Sequence, residues 1–201
     1  GDHTLVALQN IPRDKILRLT MLLHDVAKPE CQVMDGDGIY HFYGHPAKGA
    51  VMAGQILRRL KFDNGTIERV TSLVACHDEL PTLREAPVRR AIHRIGLRQF
   101  PDLFAVKRAD ALAKSPHRQE EKLAYIDKFE RMYQEIMDRQ QCLTREDLAV
   151  TGKDLIRIGI EPGKKMGELL EYLLQCVLEC PEQNTPEQLI RLAEQKRDGN
   201  G

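Results

Sequence analysis

The stretch ILRLTMLLHDVAKP, residues 16–29, decides how the rest of the chain folds. Apolar side chains lie on almost every side of a helix drawn through it, which is typical of a buried central helix. We expect Pro29 to end that helix, because proline disfavours helical backbone at the preceding residue. His24 and Asp25 lie within this apolar surrounding, where ionisable groups are costly to bury unless they pair with each other or bind a metal.

Helical periodicity continues on both sides of this stretch. Pro46 suits the first position of another helix, and a long helix is predicted at about residues 118–140. The sequence Asp-Gly-Asp-Gly at 35–38 predicts a short hairpin within a loop. We therefore predict an all-α protein, with a helical bundle over residues 1–141 followed by a smaller helical segment over residues 142–201.

Composition and charge exclude several classes of protein. The 201 residues carry 30 Lys+Arg and 30 Asp+Glu, so bulk positive charge is not available to hold nucleic acid. The sequence has neither the roughly 18 consecutive apolar residues of a membrane span nor the basic and apolar segments of a signal peptide. The five cysteines form no CxxC pair, which favours free thiols in a reducing, cytoplasmic setting over a disulfide framework.

Other ionisable side chains interrupt apolar helix faces as His24 and Asp25 do. His77 completes one such face, and Asp110 interrupts another. Each residue alone is more often a core residue with a hydrogen-bond partner than a ligand. Together they predict one site of mixed nitrogen and oxygen ligands for divalent metal. The predicted set is His3, His24, Asp25, His45, His77 and Asp110.

The chemistry of this site follows from its residue types. The lack of cysteine ligands disfavours structural zinc, while one or two ions of Mn, Fe, Ni, Co, Zn or Mg remain open. Such ions lower the pKa of bound water to about 7 and clamp phosphoryl oxygens, so phosphoester hydrolysis is the natural reaction. Lys28 follows His24 by four residues and would either direct a cation at an anionic substrate or extend into solvent.

The ordered set of histidines and aspartates, with LLHDVAKP at 22–29 and HFYGHPAKGA at 41–50, resembles the HD superfamily of metal-dependent phosphohydrolases. The resemblance implies that His3, His24, Asp25 and Asp110 bind a first metal. It implies that His45 and His77 bind a second metal in two-metal members, with Asp25 bridging. Asp25 and Lys28 would be the catalytic residues, and 2′,3′-cyclic phosphates or nucleotides the substrates.

The chain is still more similar to the HD region of bacterial CCA-adding enzymes, the tRNA nucleotidyltransferases. This likeness rests on residues 17–29, 42–62 and 100–114, and residues 148–190 resemble that family's C-terminal tRNA-binding helices. No segment of these 201 residues resembles the family's N-terminal nucleotidyltransferase head. Gly1 and the start inside a predicted helix suggest a fragment of a longer protein, and the resemblance implies that this fragment does not itself add CCA.

A modest basic patch adds an RNA-binding prediction. Residues 84–139 hold 13 Lys/Arg against 9 Asp/Glu, which suits contact with a phosphate backbone or simply a solvated face. The predicted RNA contacts are Arg89, Arg90, Arg94 and Arg98. Bulk charge does not support RNA binding in the net acidic tail, where only the resemblance implies it.

Three hypotheses follow for the function. The first is an HD phosphohydrolase acting on tRNA or nucleotide phosphoesters. The second is a non-catalytic scaffold that binds tRNA, and the third is a free-standing HD nucleotide phosphatase, which would leave the C-terminal resemblance unexplained. No membrane partner is expected, and the apolar helix at 166–178 suits either the core or the face of a homodimer.

Overall fold

Helices account for most of the protein, and the predicted all-α class is confirmed. The computed structural model describes residues 2–199. The helices are α1 Asp2–Asn10, α2 Lys15–Leu23, α3 His45–Arg59, α4 Asn64–Cys76, α5 Glu85–Ile95, α6 Phe100–Leu112, α7 Pro116–Asp138, α8 Gly152–Arg157, α9 Lys164–Glu179 and α10 Pro186–Arg197. Two strands, β1 Gln32–Met34 and β2 Tyr40–Phe42, pair antiparallel as the predicted hairpin. Short 3₁₀ turns occupy Lys28–Glu30, Arg145–Asp147 and Pro181–Gln183.

Contacts divide the chain into two compact units. The first unit contains the residues up to Leu80 together with Ile95–Glu130. The second contains Pro81–Arg94 and the residues from Arg131 onward. The functional boundary predicted near residue 141 falls within the second unit and stays a prediction.

The core of the first unit forms around α2, α3, α4 and α6. Met21 of α2, Leu57 of α3 and Leu73 of α4 are completely buried. The rings of Phe100, Phe104 and Phe129 meet edge to face at 5.2–5.6 Å between centroids, an arrangement that aromatic pairs prefer.

Small residues bring α3 close to its neighbours. A Cβ atom on Gly49 would lie 3.4 Å from Val74 Cγ1 and 3.6 Å from the His24 carbonyl oxygen. One on Gly54 would lie 3.3 Å from Thr71 Cγ2. The backbone of α3 therefore packs directly against α4 and against the end of α2, where His24 lies.

The central helix is shorter than the sequence predicts. α2 ends at Leu23, with His24 as its C-cap, rather than at Pro29. His24 Nδ1 lies 2.7 Å from the Met21 carbonyl oxygen, the acceptor that the Asp25 amide would use if the helix continued. The chain then tightens into 3₁₀-type bonds, from the Val26 amide to Leu23 and from the Lys28 amide to Asp25. Sequence periodicity missed this side-chain competition.

The second unit is built on α9, which buries Leu169, Leu173, Leu174, Val177 and Leu178. α8 contributes Leu155 and α10 contributes Leu189 and Ala193 to this apolar core. The inner face of the 166–178 segment is therefore core. Capping boxes at Thr144 and Thr151 start the 3₁₀ turn Arg145–Asp147 and α8.

Among residues 2–199, no helix combines the length and the apolar character that crossing a membrane requires.

Candidate metal centre

The six predicted ligand residues meet inside the first unit. His3 lies on α1, His24 and His77 cap the C-terminal ends of α2 and α4, and His45 is the first residue of α3. Asp110 comes from the last turn of α6, and Asp25 follows the α2 cap. Residues separated by more than one hundred positions in sequence therefore converge on one point.

Each of the four histidines is oriented by a backbone carbonyl. The Nδ1 atoms of His24, His45 and His77 lie 2.7–2.8 Å from the carbonyl oxygen three residues earlier. His3 Nδ1 lies 3.1 Å from the Ala113 carbonyl oxygen. Since a carbonyl only accepts, Nδ1 carries the proton and donates it. Nε2 is thereby directed inward, which is how a second hydrogen bond fixes a metal-binding histidine.

Two groups of potential ligand atoms share Asp25. In the first group, His24 Nε2 lies 3.4 Å from His3 Nε2 and 3.3 Å from Asp25 Oδ2. Asp110 Oδ1 joins this group at 3.1 Å from His3 Nε2 and 3.7 Å from His24 Nε2. These separations suit ligands arranged around one ion, because metal–ligand bonds of about 2.0–2.2 Å place neighbouring ligands at such distances.

The second group lies on the other oxygen of the same carboxylate. His45 Nε2 and His77 Nε2 lie 3.3 Å apart, and they are 3.6 and 3.7 Å from Asp25 Oδ1. In each of the two groups, three ligand atoms lie within 4.8 Å of one another. Asp25 thus presents one carboxylate oxygen to each of the two groups.

The hydrogen bonding of Asp25 is incomplete without a cation. Oδ1 is buried and has no hydrogen-bond partner among the described residues. An orphaned carboxylate oxygen costs stability in a protein interior, so such an atom calls for an explanation. The Nε2 atoms of His45 and His77 are directed at the same point as Asp25 Oδ1. A divalent ion at that point would bind all three atoms, which explains the missing hydrogen bond. The residues present therefore fit a metal.

Mutual attraction holds these groups in their charged forms. Burial lowers the pKa of His24, but hydrogen bonds with Asp110 and Asp25 outweigh it and raise the pKa to about 9. Burial raises the pKa of Asp25, but His24, His77 and Lys28 together hold it well below its usual range. The pKa of Asp110 is also lowered, because His24 and Lys114 outweigh its burial.

Two lysines are paired with the carboxylates. Lys28 Nζ lies 2.6 Å from Asp25 Oδ2, and Lys114 Nζ lies 2.6 Å from Asp110 Oδ2. Lys28 is only one third exposed, and its ammonium lies 5.7 Å from the centre of the Phe42 ring. It therefore reaches the site through the 3₁₀ turn Lys28–Glu30, instead of by sharing a helix face with His24.

A third lysine supports the site from behind. Lys107 of α6 is buried, and its Nζ donates to the carbonyl oxygens of His77 and Glu79. Burial lowers its pKa to about 8. Lys107 thus fixes the turn that follows α4 and carries His77.

An open cavity of about 430 Å³ leads to these ligands. Its more buried lining residues form its floor and include Asp25, His45, His77 and Asp110, with Lys28 and Lys114 beside them. Its more exposed lining residues, at the end of the hairpin in residues 40–44, form its rim. The arrangement admits a small anion to the ligand atoms and places two ammonium groups close to it.

Lys114, Lys107 and the aromatic rim were not predicted from the sequence. Lys114 follows Asp110 by four residues on a predicted helix, a spacing at which opposite charges pair, so the signal was present. The sequence contained no such signal for Lys107, because an isolated lysine in a helix is expected at the surface unless its burial is known.

The predicted RNA-binding arginines are not equivalent. Arg89 is buried, and its guanidinium donates to the carbonyl oxygens of Leu178 and Glu179. A contact with phosphate does not fit this burial, and we leave Arg89 out of the proposed RNA contacts. Arg90 is half-exposed and pairs with Glu179, while Arg94 lies on the same helix. Arg98 belongs to the first unit, whereas the other three arginines belong to the second.

Comparisons with known proteins find tRNA nucleotidyltransferases. Residues 47–193 match the family model described as tRNA nucleotidyltransferase domain 2. The A-adding tRNA nucleotidyltransferase of Deinococcus radiodurans is 32% identical over 166 residues, which are 81% of this chain and 37% of that protein. The CC-adding tRNA nucleotidyltransferase of Thermus thermophilus is 31% identical over 185 residues, 89% of this chain and 41% of that protein.

The chain spans about two fifths of the length of these curated relatives. No solved structure matches it. The descriptions of these matches name transfer to tRNA and do not name phosphoester hydrolysis.

Proposed function

Because this chain belongs to the tRNA nucleotidyltransferase family, we propose that it carries an HD-type, metal-dependent phosphohydrolase centre beside a tRNA-binding segment. The hydrolase centre would lie within residues 1–141, and residues 142–201 would bind tRNA. The observation that carries this proposal is the unpartnered, buried Oδ1 of Asp25, which faces two carbonyl-anchored histidines. A scaffold that only binds tRNA does not require this set of carboxylate and imidazole atoms, whereas one or two divalent ions would use it as ligands.

The roles of the residues follow from their positions. His3, His24 and Asp110 would hold one ion with Asp25, and His45 and His77 would hold a second ion on the other Asp25 oxygen. Bound divalent ions would supply a nucleophilic water at neutral pH and neutralise charge on the phosphoryl oxygens. Lys28 and Lys114 would bind the anionic group, because both line the cavity beside the ligands. Phosphoesters, including 2′,3′-cyclic phosphates, are the substrates that this chemistry suits.

Removing the bridging carboxylate tests the proposal. Asp25→Ala should reduce hydrolysis of phosphoesters by more than about 100-fold, since even residues that only support a metal ligand contribute 10–100-fold. Elemental analysis of purified protein should find one or two equivalents of a divalent metal, reduced in the variant. Asp102→Asn is the matched control, because Asp102 lies on the same helix as Asp110 but pairs with Arg69. Wild-type protein that holds no metal and hydrolyses no phosphoester would refute the proposal.

A non-catalytic tRNA-binding scaffold is the second candidate. One observation favours it, because Lys28 and Lys114 already neutralise Asp25 and Asp110 without a metal. In that case tRNA affinity would fall in an Arg90→Ala, Arg94→Ala double variant and would not change in Asp25→Ala. Phosphoester hydrolysis by the wild-type protein separates the two candidates, because only the first predicts it. A filter-binding titration at two salt concentrations tests the arginine contacts, because loss of phosphate contacts also reduces the salt dependence of binding.

A further inference from the structure

The hairpin presents a stacked pair of aromatic side chains beside the metal centre. Tyr43, just beyond β2, stacks on His41 with ring centroids 5.3 Å apart and ring planes within 9° of parallel. Tyr43 is 73% exposed, so the pair leaves much of the tyrosine ring accessible to solvent. Tyr40, on the same strand, is 54% exposed.

The hairpin turn holds this pair in place. His41 Nε2 lies 2.7 Å from Asp35 Oδ2. Asp35 Oδ1 in turn accepts hydrogen bonds from the backbone amides of Asp37 and Ile39. Because the turn fixes Asp35, and Asp35 fixes the imidazole, Tyr43 stacks on a preorganised surface.

The aromatic pair and the metal ligands belong to one cavity. Tyr40, His41 and Tyr43 line the same space of about 430 Å³ as Asp25 and His77. Gly44, in the left-handed region at φ 73°, turns the chain directly from Tyr43 into the ligand His45. A volume of this order is typical of cavities that hold small ligands.

The chemistry along this cavity changes from its floor to its rim. The floor carries carboxylates, imidazoles and two ammonium groups, which suit a metal-bound phosphate. The rim carries aromatic rings, which a phosphate group does not use. Aromatic faces bind nucleobases by stacking and do so with little regard to base identity. A ligand that matches both ends has a phosphoester at one end and a planar base at the other.

We infer that the His41–Tyr43 pair is a base-stacking platform that binds the base of a substrate whose phosphoester lies at the metal centre. This inference rests on the proposed phosphohydrolase function and adds a base-binding subsite to it. Tyr43 is the specificity-determining residue, and His41 positions it.

Two matched substrates test the platform. Adenosine 2′,3′-cyclic phosphate carries a base, and methyl riboside 2,3-cyclic phosphate has a methyl group in its place. For wild-type protein the nucleotide should have the lower KM. Tyr43→Ala should reduce this preference about tenfold, the order expected for loss of one stacked base. Tyr43→Phe should restore it, because the ring is kept. Met34→Ala, which changes an exposed apolar residue of β1 that does not line the cavity, should not change it.

Binding measurements separate failure of the platform from failure of the hydrolase. Adenosine 2′-monophosphate is titrated into each protein by calorimetry, because Tyr43→Ala itself removes one of the five tyrosines on which a fluorescence signal would depend. Hydrolysis that depends on Asp25, with equal preference in wild type and Tyr43→Ala, overturns the platform and leaves the hydrolase. If no hydrolysis occurs, weaker nucleotide binding by Tyr43→Ala still supports the platform. Equal or absent binding overturns it.

Discussion

At the scale of single residues, the site depends on which atom of each side chain is already engaged. The three histidines at residues 24, 45 and 77 use Nδ1 for a carbonyl three positions back, and that bond leaves Nε2 for the interior. The sequence identified His24 and His77 as unusual because they lie on apolar helix faces, and His45 because it stands just before a predicted helix. It contained no signal for the tautomer, which depends on backbone geometry.

Arg89 shows the opposite outcome for a residue that sequence analysis assigned to function. Its side chain satisfies carbonyl groups at the C-terminal end of α9, where a cation also interacts favourably with the helix dipole. The local sequence does not distinguish Arg89 from its neighbour Arg90. Burial alone separates a structural guanidinium from one that can meet a ligand.

Arg89→Met should therefore destabilise the second unit by about 1–3 kcal/mol, because it leaves the buried Leu178 carbonyl group without this donor. Arg90→Met should cost less than about 1 kcal/mol, since its partner Glu179 is exposed. Urea unfolding followed by circular dichroism compares the two variants. Equal losses of unfolding free energy in the two variants would contradict a stabilising role for the hydrogen bonds of Arg89.

At the scale of elements, the approach of α3 to α2 and α4 fixes the distance between the two ligand groups. Gly49 faces Val74 and the His24 carbonyl oxygen, so a side chain larger than a methyl group at this position would push α3 away from both. The sequence shows the small residues of α3. It did not predict that α2 ends at Leu23.

Gly49→Ala should leave stability unchanged or raise it by up to about 1 kcal/mol. The added methyl group makes ordinary contacts at 3.4 Å, and alanine favours a helix. Gly49→Leu should lower it by about 1–3 kcal/mol, because the larger side chain overfills this junction. Thermal unfolding of both variants measures the difference. An unchanged midpoint for the leucine variant would mean that the helices move apart easily.

The N-cap of α4 makes stability depend on pH. Asp63 accepts from the Thr66 amide and hydroxyl, and these bonds lower its pKa to about 2. A carboxylate with a lowered folded-state pKa stabilises fully above its unfolded value and loses this effect as the pH falls through the folded value. The advantage of wild type over Asp63→Asn should thus be full above pH 4 and should vanish as the pH falls from about 4 to 2.

Asparagine is the suitable replacement for this measurement because it also caps helices but does not titrate. Chemical unfolding at a series of pH values gives the difference between the two proteins. A difference that stays constant down to pH 2 would contradict the assignment to Asp63.

At the scale of the whole molecule, metal binding should act on the unit that contains the ligands. A ligand that binds only the folded state stabilises it by about 2.7 kcal/mol at one hundred times its dissociation constant. Added Mn²⁺ or Ni²⁺ should therefore raise the unfolding free energy of the first unit. Asp25→Asn should lose most of this gain, whereas Asp102→Asn should keep it.

Hydrogen exchange gives the measurement for each unit separately. Amides of α2 and α4 should exchange more slowly when metal is added, and those of α9 should not change. Unchanged exchange in α2 and α4 would contradict a metal centre in the first unit.

The sequence by itself determined the helical class, the hairpin and the identity of the six candidate ligands. These features depend on periodicity, on turn chemistry and on the cost of burying an ionisable group, all of which can be evaluated from local sequence. The burial of Arg89 and Lys107 could not be predicted in this way, because nothing in the local sequence distinguishes a buried arginine or lysine from an exposed one.

Only the tertiary structure decided that these ligands form two groups on the two oxygens of Asp25, and that aromatic rings line the same cavity. Both facts are distances between residues far apart in the chain, such as the 3.1 Å from His3 Nε2 to Asp110 Oδ1. Helix packing sets such distances through the shapes of all the side chains in the core at once. No local pattern contains that information.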